Sequence, residues 1–182
     1  IDKALEFEWL ADALKSKYEL NYILIGKEKS KLELFLIERA IPVYTIKYKG
    51  KKDLIKAWIK VFFKLIKIKP NIVHTHLFEA NLIGLSCARL AGVKNRVYTR
   101  HHSTLHHSYF PKAVKYDLWS NRWATHIIAI SPMVKKLLNQ TSMQRDLSNG
   151  KFVPPSRSIL RMICSSARNA ISKCLSPIFL KM

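Results

Sequence analysis

Histidine is the residue type with the most chemistry to offer in this sequence. Six of the seven histidines lie in two short stretches, and these six are His74, His76, His101, His102, His106 and His107. A neutral imidazole near pH 7 gives or takes a proton, and it hydrogen-bonds a sugar or alcohol hydroxyl. The two stretches are therefore the first candidates for a binding or catalytic site.

His74 and His76 lie at the end of a predicted strand. Residues two apart on a strand share a face, so both imidazoles are available to one ligand. His-x-His is also a metal-ligand spacing, and a metal-dependent hydrolase built on His74 and His76 is one alternative. No Asp or Cys follows at a ligand-like spacing, however, and we assign no metal site. The plainest alternative is one imidazole bonded within the sheet and the other on the surface.

The second stretch is a segment of donors and titratable groups, residues 98–109, with few apolar side chains. Such a segment makes a poor core element and is typical of a binding loop. A solvated loop with incidental histidines is the alternative.

The elements that position these residues alternate between helix and strand. Apolar residues at helical spacing predict helices at 4–14, 32–40, 52–68, 80–91 and 112–123, and short apolar runs predict strands at 22–26, 43–47, 71–76, 96–99 and 126–130. Gly92 is placed to end a helix, and Ser131 with Pro132 to begin one.

This alternation, with strands that are apolar on both faces, predicts an α/β fold with a doubly wound, mostly parallel sheet. Ligands of such sheets bind outside the carboxyl ends of the strands. If the strands ending near His76 and Thr99 are neighbours, the two groups of histidines meet along one rim.

The charge balance indicates anionic partners. The formal net charge is +20, which favours nucleic acid, anionic lipid or phosphorylated molecules. Helix 52–68 carries a basic stripe opposite an apolar face, and the stripe consists of Lys52, Lys56, Lys60, Lys64 and Lys67. Such a helix suits the outside of the sheet and also an anionic membrane surface, and the two are compatible because a packed helix can still present its lysines to a membrane.

Other classes find little support. The sequence has no GxGxxG, P-loop or GxSxG motif and no apolar run of the roughly 20 residues that span a bilayer. Three cysteines without a CxxC pair favour a reducing cytoplasm. The sequence has no recognisable nucleic-acid-binding motif. The positive charge therefore leaves non-specific polyanion binding as the alternative.

Composition divides the chain near residue 138. Residues 139–182 hold eight serines against seven in residues 1–138, and their basic residues shift from Lys toward Arg. We therefore expect an α/β domain at 1–138. For the tail at 139–182 two interpretations stand side by side: out-of-frame, degenerate sequence, or a basic, partly disordered extension.

Four segments together resemble the N-terminal domain of family 4 glycosyltransferases. They are the run from Lys69 to Gly84 (KPNIVHTHLFEANLIG), Ala88 to Val93, Val97 to Ser103 (VYTRHHS), and Ala129 to Val134 (AISPMV). The resemblance covers residues 1 to about 138. It implies a Rossmann-like, acceptor-binding half of a two-domain enzyme that transfers sugar from a nucleotide donor.

The resemblance also implies roles for residues. His101 matches the histidine that lies near the sugar in the cleft, and His74, His76, Arg100 and His102 are candidates for acceptor contacts by proximity. The implied co-substrate is a nucleotide sugar, with no cofactor held by this chain. The implied acceptor is a glycan or glycolipid, at the inner membrane face in the cytoplasm.

This sequence departs from the family pattern at both ends. We expect it to start after the family's first strand and Gly-rich loop and to have the tail in place of the donor domain. We therefore expect the chain alone to transfer no sugar. We also expect a parallel sheet without that strand to leave unpaired backbone on both neighbours, and the chain to be poorly soluble.

Overall fold

A six-stranded parallel sheet forms the centre of the computed structural model, which describes residues 5–26, 30–100, 114–136, 138 and 177–181. The strands are β1 Asn21–Gly26, β2 Val43–Lys47, β3 Ile72–His76, β4 Asn95–Arg100, β5 His126–Ala129 and β6 Pro177–Lys181. Their order is β2-β1-β6-β3-β4-β5, and every neighbouring pair is parallel. The predicted α/β fold with a parallel sheet is confirmed.

Helices connect the strands and cover the sheet. They are α1 Leu5–Leu14, α2 Lys31–Glu38, α3 Leu54–Ile68, α4 Phe78–Leu90 and α5 Val114–Trp123. A 3-10 turn, Lys51–Asp53, precedes α3, and residues 132–136 are also helical. Within the described ranges, no helix has the length and apolar character needed to cross a membrane.

Local sequence signals set several helix ends. Gly92 has φ +75°, and the amides of Gly92 and Val93 donate to the carbonyls of Arg89 and Ala88, which is the Schellman motif. At the next predicted start, the amide of Val134 donates to Ser131 Oγ at 3.3 Å. Both predicted caps are confirmed.

The two faces of the sheet have separate cores because side chains alternate along each strand. On one face, Tyr22 and Leu24 of β1 pack with Phe7 of α1 and Leu36 of α2. On the other face, residues of β1 and β3 pack with α3 and α4; they include Ile23, Ile25, Val73, Val61, Leu65 and Ile83. A third cluster joins α4 to β4 and β5 on that same face, through Leu85, Tyr98 and Ile127.

Apolar side chains of two predicted helices lie outside the core. In α1 the buried positions are Phe7, Ala11 and Leu14, whereas Trp9 is 71% exposed. In α3 the buried positions are Ala57, Val61 and Leu65, and Ile55 and Ile66 lie outside the core. The helix spacing was right in both cases, but spacing alone does not fix which side of an apolar helix meets the sheet.

The sheet also has a strand that the sequence analysis did not predict. Pro177–Lys181 lies between β1 and β3 and pairs with both, so the expected unpaired backbone on these neighbours is not seen. These five residues of the tail belong to the sheet. The apolar run Ile178-Phe179-Leu180 after Pro177 is a strand signal, which the serine-rich and arginine-rich surroundings concealed. The domain boundary at 138 stays a prediction.

Candidate functional site

His74 and His76 lie side by side near the carboxyl end of β3. Their ring centroids are 4.2 Å apart, as the alternation of side chains predicts. Both are buried, at 7% and 3% exposure, because β3 is an inner strand with β6 on one side and β4 on the other. The alternative that placed one of them on the surface is therefore wrong.

A hydrogen bond ties His74 to the neighbouring strand. His74 Nε2 lies 2.8 Å from Oγ1 of Thr99 on β4, and the tautomer of the imidazole decides which atom donates. The register places Val97 opposite His74 and Thr99 opposite His76, so this bond runs diagonally across the two strands. It joins one histidine stretch to the strand that leads into the other.

Phe7 of α1 closes the same face of the sheet. Its ring meets His76 edge-on, with centroids 4.7 Å apart. This contact brings α1 over the end of β3. Sequence reasoning missed Phe7 because it has no chemistry of its own; its only signal is the helical spacing to Ala11 and Leu14.

Polar side chains on the opposite face are bonded to helices. Thr75 Oγ1 donates to Asn81 Oδ1 of α4 at 2.6 Å, and the Tyr98 hydroxyl donates to Asn121 Oδ1 of α5. Burial raises the pKa of Tyr98 above its ordinary value. These bonds hold α4 and α5 against this face of the sheet.

Arg100, the last residue of β4, belongs to that opposite face. Its Nη2 donates to Asp117 Oδ2 of α5 at 3.1 Å, and both side chains are about nine-tenths buried. The structure thus does not bring the Arg100 guanidinium together with His74 and His76. An acceptor contact by Arg100 stays a prediction. Sequence reasoning missed this ion pair.

His101 and His102 follow Arg100 directly in the sequence. They lie outside the described residues, as do His106, His107 and most of the predicted binding loop. Their roles in sugar and acceptor binding stay predictions. The structure does define the strand from which they continue, since Thr99 and Arg100 are each held by a side-chain partner.

The backbone turns sharply between His76 and α4. Leu77, the residue between them, has φ +69° and ψ +162°, a conformation that a residue with a Cβ rarely adopts. Strain of this kind costs about 1–3 kcal/mol and is concentrated at functional sites. The chain therefore leaves β3 in a constrained conformation directly beside the histidine pair.

The described residues contain no group of three or more His, Cys, Asp and Glu side chains arranged around one point, as a metal site would need. His74 and His76 thus have no third partner of these types within that part of the chain. The metal-dependent hydrolase receives no support from this geometry.

The five lysines of the predicted basic stripe have different environments. Lys52, Lys56, Lys60 and Lys67 are exposed, whereas Lys64 Nζ lies 3.7 Å from the centre of the Tyr44 ring. Beside the exposed lysines, α3 presents four exposed apolar side chains, which we call the α3 stripe: Ile55, Ile59, Phe63 and Ile66. The sequence analysis predicted an apolar face and a basic stripe on this helix, but it did not predict which apolar side chains are exposed.

Comparison with known proteins gives one match. A family model described as Glycosyltransferase Family 4 matches residues 10–147, which is more than half of the chain. No curated protein and no solved structure matches.

Proposed function

Since this chain belongs to glycosyltransferase family 4, we propose that its α/β domain binds the acceptor of a sugar-transfer reaction. The acceptor is a glycan or a glycolipid, and the co-substrate is a nucleotide sugar. In this proposal the acceptor binds at the carboxyl end of the sheet, where β3 and β4 end.

The observation that carries the proposal is the bond between His74 and Thr99. It lies at the edge where parallel sheets bind ligands. It joins β3, which carries His74 and His76, to β4, which the second histidine stretch follows. An inner strand can bury imidazoles without any site, so their burial alone supports nothing. Support comes from their position at this edge in a chain of this family.

The buried histidines act as positioning residues in this proposal. His74 holds Thr99, and Asp117 holds Arg100, so the last two residues of β4 are restrained from both faces of the sheet. His101 is the next residue, and it orients the sugar by hydrogen bonding to a hydroxyl. His102 contributes a contact to the acceptor. Holding a hydrogen-bonding group in place before the substrate arrives lowers the entropic cost of reaching a reactive geometry.

Saccharide binding tests the role of His101. Saturation-transfer-difference NMR with methyl glycosides of glucose, galactose, mannose and N-acetylglucosamine should detect binding to the wild-type chain. His101→Ala should weaken that binding about 10-fold, the effect of one lost hydrogen bond of about 1.4 kcal/mol. The matched control is His126→Ala, since His126 belongs to neither histidine stretch and lies on β5, the edge strand of the sheet. Equal losses in both variants, or no binding of any glycoside, would refute the proposal.

A transfer assay tests the division of labour. In the proposal the nucleotide-sugar site lies on a different domain, so the 182-residue chain should release no nucleoside diphosphate from a panel of nucleotide sugars. Sugar transfer by this chain would overturn that division while leaving the family assignment intact.

A second candidate function, attachment to an anionic membrane surface, is favoured by the α3 stripe. The side chains of Ile55 and Phe63 are 72% and 65% exposed, and an apolar patch of this kind marks an interaction surface. Exposed lysines flank the stripe, and each lysine near an anionic bilayer contributes about 1 kcal/mol. In this proposal α3 lies in the plane of the inner membrane face, on the cytoplasmic side, close to a glycolipid acceptor.

Vesicle sedimentation tests this attachment. The chain should sediment with vesicles containing phosphatidylglycerol and much less with phosphatidylcholine alone. Phe63→Glu should abolish sedimentation, whereas Ile37→Glu on α2, where the isoleucine is 56% exposed, should not. Sedimentation that is independent of lipid charge, or equal losses in the two variants, would contradict the proposal.

A further inference from the structure

β6 occupies an unusual place in the sheet. Its residues pair in parallel with β1 on one side, from Asn21↔Ile178 to Leu24↔Lys181. On the other side they pair with β3, from Ile72↔Pro177 to Thr75↔Leu180. The strand thus fills the middle of the sheet, although residues 139–176 separate it in sequence from the rest of the described chain.

The two strands that flank β6 are also joined by contacts that do not involve it. On the α3 and α4 side, Ile23 and Ile25 of β1 belong to the same core cluster as Val73 of β3. On the other side, Phe7 packs with Tyr22 and Leu24 of β1 and touches His76 of β3. Helices on both faces therefore bridge β1 and β3 across the position of β6. We call the space between these two strands the β6 slot.

The sequence of β6 suits an inserted strand. Pro177 begins it, and the first residue of a strand is a position where proline, which has no N–H to donate, is tolerated. Three apolar residues follow, and two of them, Ile178 and Phe179, have high strand propensity. In register, Phe179 is paired with Tyr22 on one side and with His74 on the other.

We infer that the β6 slot is a strand-acceptor site and that residues 177–181 are its exchangeable occupant. Backbone pairing to β1 and β3 supplies the affinity, and the residues in register with β6 supply the specificity, as in other cases of strand addition. An empty slot would leave two rows of unpaired backbone groups, which makes filling it strongly favourable. A free peptide with the sequence of this segment therefore binds the slot when the chain's own strand is weakened.

This inference does not depend on sugar binding. It does connect to the candidate site, because the occupant pairs with the strand that carries His74. A chain with an empty slot has β3 as an edge strand, and its histidine pair is less firmly held.

Peptide binding to the full-length chain tests the inference. The probe is a fluorescent peptide of residues 175–182 (LSPIFLKM), and fluorescence anisotropy measures its binding. Leu180→Pro in the full chain removes a backbone donor from within β6, and this variant should bind the peptide at least 10-fold more tightly than the wild-type chain does. The matched control is the same peptide with Leu180→Pro, which should bind neither chain.

Failure to bind the wild-type peptide by the Leu180→Pro chain, or equal binding of the proline peptide, would overturn the inference. If the Leu180→Pro variant does not fold, amide hydrogen exchange of the wild-type chain tests the same inference. The amides of residues 178–181 should exchange slowly, and excess unlabelled peptide should accelerate their exchange by displacing the strand. Exchange as fast as that of the free peptide would mean that the segment does not occupy the slot, and slow exchange unchanged by excess peptide would mean that it is not exchangeable. A dimer that the Leu180→Pro variant no longer forms would support the same slot, filled by a second copy.

Discussion

The two faces of the sheet differ where β3 and β4 end, although the same two strands form both. On the side of α4 and α5, each polar side chain is bonded to a helix: Thr75 to Asn81, Tyr98 to Asn121, and Arg100 to Asp117. On the side of α1, a polar contact runs from strand to strand, between His74 and Thr99. The first face fastens the helices to the sheet, and the second links the ends of the strands to each other.

This difference separates structural support from candidate chemistry. The ion pair between Arg100 and Asp117 has fixed donor and acceptor roles, and its burial makes it costly to disrupt. The bond between His74 and Thr99 can reverse its direction with the imidazole tautomer, so it can respond to a proton or a ligand. We therefore expect substitutions on the α4 and α5 side to act on stability, and those on the α1 side to act mainly on the site.

The largest effect should come from removing the charge of Asp117. Asp117→Asn leaves the buried Arg100 cation without its anionic partner, and this should lower the free energy of unfolding by about 3 kcal/mol. Urea denaturation measures the loss. The control is Asp12→Asn: Asp12 and Arg39 form an ion pair near the surface, and arginine bonding lowers the pKa of Asp12. Exposed pairs contribute little, so equal midpoints for the two variants would contradict the comparison.

A smaller loss of stability is expected from Thr75→Val. The substitution keeps the shape of the side chain but removes the hydroxyl that donates to Asn81, and a buried polar group deprived of its partner costs about 1–3 kcal/mol. Thr75→Ser, which retains the hydroxyl, is the control. Were the valine and serine variants equally stable in urea, the bond between β3 and α4 would have no fastening role.

Thr99→Val should have a smaller effect on stability and a distinct effect on the imidazole. We expect a loss of about 1 kcal/mol in the free energy of unfolding, the net value of an ordinary hydrogen bond. The ¹⁵N resonance of His74 Nε2 should move in this variant and stay in place in Thr75→Val, because Thr99 is bonded to that nitrogen, whereas Thr75 is bonded to Asn81 of α4 on the opposite face of the sheet. Movement of the resonance in both variants would mean that the two faces are not independent.

The smallest effect on stability should come from changing the pH near neutrality, because the buried thiol and tyrosine hydroxyls on the two faces stay protonated there. Burial raises the pKa of the Cys87 thiol from 9.0 to about 12, and it raises the pKa of Tyr22 and of Tyr98 as well. Because folding favours the protonated thiol, its contribution to stability is complete below about pH 9 and is lost as the pH rises to about 12. Urea midpoints should therefore be flat from pH 7 to 8 and fall above pH 9.

Alkylation gives a second measure of the same burial. In a Cys164→Ser, Cys174→Ser background, Cys87 should resist iodoacetamide at pH 8 in the folded chain and react once urea unfolds it, because the thiolate is the reactive form. Rapid alkylation of the folded chain would contradict the burial of this thiol.

Much of this architecture follows from local sequence. The strand at 43–47 and the caps at Gly92 and Ser131 are where the pattern predicts them, because apolar periodicity and capping act over a few residues. The face of the sheet on which the Arg100 side chain lies depends on how whole strands pair. No local pattern tells which face α5, which carries its partner Asp117, covers. The exposure of Ile55 and Phe63 depends on which side of α3 packs on the sheet, which spacing along one helix does not encode.

The position of β6 was the hardest feature to predict. A strand of five residues must find its neighbours across the intervening chain, and the composition around it indicated a tail. The histidine stretches were easier to identify, since their residue types indicate chemistry wherever they lie. For His74 and His76 the sequence predicted a shared face, and burial with Thr99 and Phe7 as neighbours was found only in the folded sheet.

The place of β6 also has a consequence for biosynthesis. Of the described strands, the one in the middle of the sheet is the last to leave the ribosome, so a nascent chain carries β1 and β3 for a long time before their shared neighbour exists. Contacts that close over such a distance in sequence form slowly, and transiently exposed strand edges are where nascent proteins associate wrongly. Protection of this chain by chaperones is thus needed most in the interval between the synthesis of His76 and that of Lys181.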